Sequence, residues 1–113
     1  MEGEGREFIT PEIERRQHRR ATLVTQVRCE TLDREDLFVT RDVSTGGAFI
    51  STKDPYPRGS EVSLSFRLTP VDPPITCRGN VLYSLKGVGM GVQFLEVSEE
   101  VYAALQTFVD EAA

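Results

Sequence analysis

Four arginines fall within six consecutive positions of this chain, in the stretch ERRQHRRATL that runs from Glu14 to Leu23. Guanidinium groups so close together repel one another and add little to a hydrophobic core. One interpretation is a solvated arm whose charge is partly neutralised by Glu12 and Glu14. The other is a surface for an anion, because guanidinium forks bind phosphates and the O6/N7 edge of guanine.

The spacing of these arginines defines two pairs. Arg15 and Arg19 are four residues apart, and so are Arg16 and Arg20. On a helix each pair would share one face, whereas an extended arm would spread all four side chains over a wider reach. The spacing alone does not choose between the pairs.

A second candidate site lies in the stretch TRDVSTGGAF, residues 40–49. Asp42 and Ser44 are two residues apart at the end of a predicted strand, so both side chains point to the same side. Gly46 and Gly47 then turn the chain and leave backbone N–H groups without side-chain cover. Taken alone, this pattern favours side chains that cap their own turn. The alternative is a carboxylate and a hydroxyl that accept hydrogen bonds from the N1–H and N2–H₂ edge of a guanine.

The glycines of the stretch GVGMGVQF also raise the question of nucleotide chemistry. Gly87, Gly89 and Gly91 follow a G-x-G-x-G spacing with strand-like residues on both sides. A dinucleotide-binding fingerprint requires G-x-G-x-x-G between a strand and a helix, so that interpretation is excluded. We expect instead a strand whose glycines allow another backbone or a ligand to approach closely.

Metal and thiol chemistry have little support. Cys29 and Cys77 are far apart and His18 is the single histidine, so the residues for a zinc site are missing from the sequence. We expect two buried free thiols, no metal and no catalytic residues. A phosphodiesterase is disfavoured for the same reason, since metal-assisted hydrolysis uses a carboxylate and histidine cluster.

Composition sets further limits. A chain of 113 residues is long enough for one hydrophobic core, and a formal net charge of −5 argues against broad nucleic-acid binding. No apolar run approaches the ~20 residues of a membrane span, and MEGEGREF lacks the layout of a secretion signal. We therefore expect a cytoplasmic domain with no nucleic-acid partner and no membrane insertion.

The elements that must position these residues are mostly strands. EVSLSFRL alternates strictly between apolar and polar residues, and five further segments have strand-like patterns separated by Pro- and Gly-rich breaks. The predicted strands are 23–30, 36–44, 47–52, 61–68, 75–85 and 87–97. Ser98 is a good N-cap for a following helix, whose apolar stripe is Val101, Leu105, Phe108 and Val109. The pattern predicts an all-β domain, a small antiparallel barrel capped by a C-terminal helix.

Two of these features together resemble the PilZ domain family. An R-x-x-x-R motif before the first strand is matched by Arg16 and Arg20, because Ala21 and Leu23 start the strand. A D-x-S-x-x-G motif at the end of the second strand is matched by Asp42, Ser44 and Gly47. The stretch GMGVQFLEVSEE also resembles the last strand of the family running into its C-terminal helix. The resemblance extends from about Glu14 to the end of the chain.

The resemblance implies a six-stranded antiparallel barrel and a receptor for cyclic di-GMP, a bacterial second messenger. It implies that Arg16 and Arg20 bind phosphate and the guanine Hoogsteen edge. It also implies that Asp42 accepts from the guanine Watson–Crick edge, that Ser44 hydrogen-bonds nearby, and that Gly47 lets the ligand lie against the turn. Arg15 and Arg19, one position out of register, are additional candidates for the ligand.

The expected organisation is a single domain preceded by a tail. Residues 1–13 are predicted to be a mobile tail, and residues 14–113 one PilZ-like domain. Within it we expect an arm at 14–20, a barrel at 21–97 and a helix at 98–112. We expect no cofactor apart from the ligand cyclic di-GMP, a monomer or homodimer, and relay of the signal to a separate protein partner. The alternative is a protein-interaction adaptor that acts without nucleotide.

Overall fold

The computed structural model describes residues 8–9 and 19–112. Its strands are β1 (Phe8–Ile9), β2 (Ala21–Thr22), β3 (Gln26–Glu30), β4 (Glu35–Val43), β5 (Gly47–Ser51), β6 (Glu61–Phe66), β7 (Ile75–Leu85) and β8 (Gly89–Ser98). Helix α1 (Glu99–Ala112) follows directly.

Six of these strands close into a barrel. Antiparallel pairing runs from β8 through β5, β4, β3 and β6 to β7, and β7 pairs with β8 to complete the circle. The predicted six-stranded antiparallel barrel with a C-terminal helix is therefore confirmed. The short strand β2 lies beside the end of β4. Strand β1, from the segment predicted as a mobile tail, pairs with β8, with Phe8 opposite Ser98.

The barrel interior is filled by the alternating apolar residues. In β6 these are Val62, Leu64 and Phe66, which are all at most 3% exposed. Cys29 and Cys77 are buried free thiols, as expected, and burial raises the pKa of each to about 12. The thiolate is the reactive form of cysteine, and a raised pKa keeps both groups as neutral thiols. Both side chains therefore serve as small apolar groups.

The predicted strand 23–30 is a regular strand only from Gln26 to Glu30, and residues 23–25 form a break between it and β2. The hydroxyl of Thr40 accepts from Thr25 N at 3.1 Å and donates to the carbonyl of Leu23 at 2.5 Å. Thr40 is 1% exposed, so these bonds are made inside the protein. The hydroxyl takes the place of two ladder bonds, while Leu23 N still donates to Arg41 O and Thr40 N to Thr25 O, and regular pairing begins at Gln26. A β-bulge in β4 between Thr40 and Asp42 accompanies this break.

Helix α1 packs on the barrel beside β8, β2 and β1. Ser98 caps it as predicted, since its hydroxyl accepts from Val101 N at 3.1 Å. Leu105 and Val109 are buried, and Val101 and Phe108 are partly buried against the core. The helix therefore packs on its own domain through the predicted stripe. Within residues 19–112, no helix is long and apolar enough to cross a membrane.

We predict that Thr40→Val destabilises the domain by about 1–3 kcal/mol, the cost of leaving buried backbone groups without partners. The free energy of unfolding in urea measures this effect. Thr40→Ser retains the hydroxyl and loses one methyl group, so it should cost only about 1 kcal/mol. Equal losses for both variants would show that the hydroxyl does not stabilise the break between β2 and β3.

Candidate functional site

The two sequence motifs meet through one side chain, that of Arg20. Its Nε donates to Asp42 Oδ1 at 2.7 Å, and its Nη1 donates to Ser44 Oγ at 3.4 Å. The reason is local pairing, because Thr22 in β2 lies opposite Asp42 in β4. That register places the residues just before β2 next to the end of β4. The arm and the barrel surface are thus joined at the predicted site.

Asp42 lies between two arginines. Its Oδ1 accepts from Arg20, and its Oδ2 accepts from Arg41 Nε at 3.4 Å. Arg41 is the extra residue at the bulge in β4, and its guanidinium lies 3.8 Å from the centroid of the Phe49 ring. The Asp42 side chain is 21% exposed. Its carboxylate is therefore paired on both oxygens and still accessible from solvent.

Ser44 is buried in the turn between β4 and β5. Its Oγ accepts from Gly46 N at 3.1 Å, while its own N–H donates to Gly47 O at 2.8 Å. This is the turn-capping arrangement that the sequence favoured. The same hydroxyl oxygen also accepts from Arg20, so the turn and the arm are linked at one atom.

Gly47 is required by the close approach of β8. A Cβ at this position would stand 2.3 Å from the carbonyl oxygen of Val92, which is well inside any real contact. The neighbouring Gly46 carbonyl accepts from Phe94 N at 2.9 Å, which holds the turn against β8. The glycine of the D-x-S-x-x-G motif therefore permits barrel closure at the site.

A shallow cavity of about 250 Å³ opens beside these residues. Arg20, Ser44 and Gly47 line one side, and Tyr83 and Gly91 line the other. Sites that enclose a ligand usually measure ~300–1,000 Å³. The described residues thus form an open surface against which a ligand can lie.

Sequence reasoning missed Tyr83 as a site residue. Tyr83 in β7 lies opposite Gly91 in β8, and it is 46% exposed. The available signal was the glycine spacing in GVGMG, which was interpreted as allowing close approach to a strand. The close approach at Gly91 is that of the Tyr83 ring, whose atoms would stand 2.3–2.8 Å from a Cβ there.

The other arginines of the cluster have different positions. Arg19 points to helix α1, where its Nη2 lies 3.0 Å from Asp110 Oδ1, and both side chains are at least half exposed. Arg15 and Arg16 lie outside the described residues. The structure therefore brings Arg20, Asp42 and Ser44 together beside Gly47 and places Arg19 elsewhere.

A larger cavity, about 730 Å³, lies at the opposite end of β4. Its polar groups bind one another, since Asp36 accepts from Arg34 at 2.9 Å and from Tyr56 at 2.6 Å. These bonds lower the pKa of Asp36, while burial first and then Asp36 itself raise the pKa of Tyr56. Glu30 and Glu61 in its wall would repel an anion.

A metal site is also absent from the described residues. Residues 19–112 contain no group of three side chains arranged to hold a metal.

Comparison with known proteins supports the assignment made from the motifs. A family model described as PilZ domain matches residues 14–111, which confirms the resemblance. No curated protein sequence matches this chain significantly.

Three solved structures have a similar fold. The Bacillus subtilis inhibitor of motility MotI/DgrA has a TM-score of 0.75 at 18% identity, over 84% of this chain and 49% of that chain. The PilZ domain of Escherichia coli YcgR with c-di-GMP has a TM-score of 0.70 at 15% identity, over 87% of this chain and 91% of that chain. Borreliella burgdorferi PlzA in complex with c-di-GMP has a TM-score of 0.67 at 13% identity, over 87% of this chain and 44% of that chain. The chain thus spans about half the length of the first and third. At these identities the likeness shows a shared fold.

We predict that Gly47→Ala destabilises the domain by about 1–3 kcal/mol, because the new methyl group meets backbone that cannot rotate away. Urea unfolding measures the loss. The matched control is Gly91→Ala, whose Cβ would also stand 2.3 Å from its nearest neighbour, but there the neighbour is the far end of the Tyr83 side chain. A ring can rotate, so this variant should lose less stability. Equal losses would contradict the role assigned to Gly47.

Proposed function

Since the chain belongs to the PilZ domain family, we propose that it is a receptor for cyclic di-GMP, which it binds between the arginine arm and the barrel surface. PilZ domains are receptor and adaptor domains rather than enzymes. The observation that carries the proposal is the contact of Arg20 with both Asp42 and Ser44 at the edge of the cavity. Both signature motifs are therefore present, and they meet at one solvent-accessible surface.

Binding exchanges one set of hydrogen-bond donors for another. In the free protein, the donors to Asp42 are the guanidinium groups of Arg20 and Arg41. In the complex, the guanine N1–H and N2–H₂ become the donors to the Asp42 carboxylate. Arg20 is then released to bind a phosphate or the guanine O6/N7 edge, and Arg16 acts as the second arginine of the motif.

A comparison of the free energies of the internal ion pair and of the new bonds to the ligand favours this exchange. The Arg20 side chain is 47% exposed, and a partly exposed ion pair of this kind is worth about 0–1 kcal/mol. A charge-assisted bond to the ligand is worth about 1.5–3 kcal/mol. The ligand also neutralises the crowded arginines, since it is a compact dianion. Giving up the internal pair therefore costs less than the new contacts contribute.

The proposed output is a change of surface that a separate protein partner recognises. Arg20 lies immediately before β2, which packs beside helix α1 and β4. Folding the arm over the ligand covers the charged residues and buries the cavity edge. No cofactor besides the nucleotide takes part in this scheme.

The second candidate is an adaptor that acts without nucleotide. The internal pairing of Asp42 with Arg20 and Arg41 favours it, because the carboxylate has partners on both oxygens in the absence of ligand. In that case a partner contact would be indifferent to the arginines of the arm.

We predict that the wild-type domain binds cyclic di-GMP and that Arg20→Ala weakens binding about 30- to 150-fold, the equivalent of roughly 2–3 kcal/mol. Isothermal titration measures both affinities. Arg19→Ala is the matched control, since it removes the same charge one residue away and breaks only the exposed pair with Asp110. Arg19→Ala should lower the affinity for cyclic di-GMP by less than about 5-fold.

Absence of binding by the wild type at high-micromolar ligand would contradict the receptor function and favour the adaptor. Equal losses for Arg19→Ala and Arg20→Ala would mean that the arm acts as diffuse charge. Binding would then also fall steeply as salt is raised.

We predict that Asp42→Ala narrows the preference for cyclic di-GMP over cyclic di-AMP. Adenine presents an unprotonated N1 to the Asp42 carboxylate. The wild type should therefore bind cyclic di-AMP poorly, because two hydrogen-bond acceptors would face each other. Competitive titration of the two nucleotides measures the preference. Asp110→Ala, which removes another carboxylate paired with the arm, should leave the preference unchanged. An unaltered preference in a folded Asp42→Ala protein would show that Asp42 is structural.

A further inference from the structure

The ring of Tyr83 lies against the backbone of β8. Tyr83 pairs with Gly91 across the β7–β8 ladder, and a Cβ on Gly91 would stand 2.3, 2.4 and 2.8 Å from Cε1, Cζ and Oη of the ring. The ring therefore occupies the space that a side chain at position 91 would fill. One ring face is held by the strand.

The position of this ring is further restricted by its neighbours. The Phe49 ring lies 6.2 Å away at an interplanar angle of 33° and is itself held under the guanidinium of Arg41. Strand β7 has a β-bulge between Val81 and Tyr83. Bulges occur next to functional sites because they redirect a side chain. Tyr83 is thus a supported ring at an irregular point of the barrel wall.

A purely structural explanation accounts for one side of the ring. Aromatic residues often cover glycines on a sheet and protect the backbone from water. That role does not require the ring to border the cavity that Arg20, Ser44 and Gly47 also line. With 46% of the residue still exposed, a second planar group has access to the ring.

We propose that Tyr83 is a ligand-binding residue on which one guanine of the ligand stacks. This inference rests on the proposed function. Every base has a π-face, and stacking on a fixed aromatic ring contributes to binding without hydrogen bonds. Asp42 then accepts hydrogen bonds from the edge of a guanine and supplies the base preference, while Tyr83 supports the face of a base and contributes affinity.

The test compares three variants by isothermal titration with cyclic di-GMP. Tyr83→Phe retains the ring and should bind within about 2-fold of the wild type, whereas Tyr83→Ala should lose about 5- to 150-fold in affinity. Gly91→Ala leaves the tyrosine in the sequence but displaces its ring, so it should show a comparable loss. Thermal unfolding of each variant verifies that it is folded.

A spectroscopic readout separates stacking from a merely structural role. Ring protons of Tyr83, identified by their loss in Tyr83→Phe, should shift upfield in the NMR spectrum when cyclic di-GMP is added to the wild type. The corresponding shift should disappear in Gly91→Ala. If Gly91→Ala does not fold, Tyr83→Ala and the wild-type shift decide the question.

The outcomes distinguish the two proposals. If Arg20→Ala loses affinity while folded Tyr83→Ala binds like the wild type, the stacking role is wrong and the receptor function stands. If the wild type itself gives no binding, the receptor function is wrong and the stacking role fails with it. Loss in Tyr83→Ala without an upfield shift in the wild type would also overturn stacking.

Discussion

The contact of the Arg20 guanidinium with Asp42 and Ser44 is the interaction on which the site depends. It connects the end of the arginine cluster to the turn between β4 and β5, although the residues lie more than twenty positions apart. The link is possible because β2 pairs with β4, which places the chain before Ala21 beside Asp42. Without this pairing the arginines would be a charged segment with no defined relation to the barrel.

The close approach of β8 determines the rest of the site. Gly47 lies against the Val92 carbonyl, so the turn that contains Ser44 stays low on the barrel. Gly91 on the same strand makes room for the Tyr83 ring. Both glycines therefore allow close packing beside the cavity that Arg20 and Tyr83 line.

Under the proposed function, the pairing of Asp42 affects how the domain would meet an anionic ligand. An unpaired carboxylate would repel a dianionic ligand, but here the guanidinium groups of Arg20 and Arg41 compensate its charge. Because the pair with Arg20 is partly exposed, it is weak enough to open. The free protein thus holds Arg20 at this surface while leaving its guanidinium available. Arg19, whose partner Asp110 lies on α1, connects the same short segment to the helix.

The architecture could be predicted from the pattern of residues, since strict alternation in segments such as 61–66 specifies strands and the stripe through Leu105 and Val109 specifies the capping helix. The sequence also identified Asp42 and Ser44, because a motif records residue types at fixed spacing. The break before Gln26 depended on the buried hydroxyl of a residue on another strand, which local periodicity does not report. The direction of each described arginine and the place of Tyr83 beside the cavity were decided only by the tertiary structure. Both follow from which strands pair and in what register, and a shift of one residue there would exchange the faces of every side chain involved.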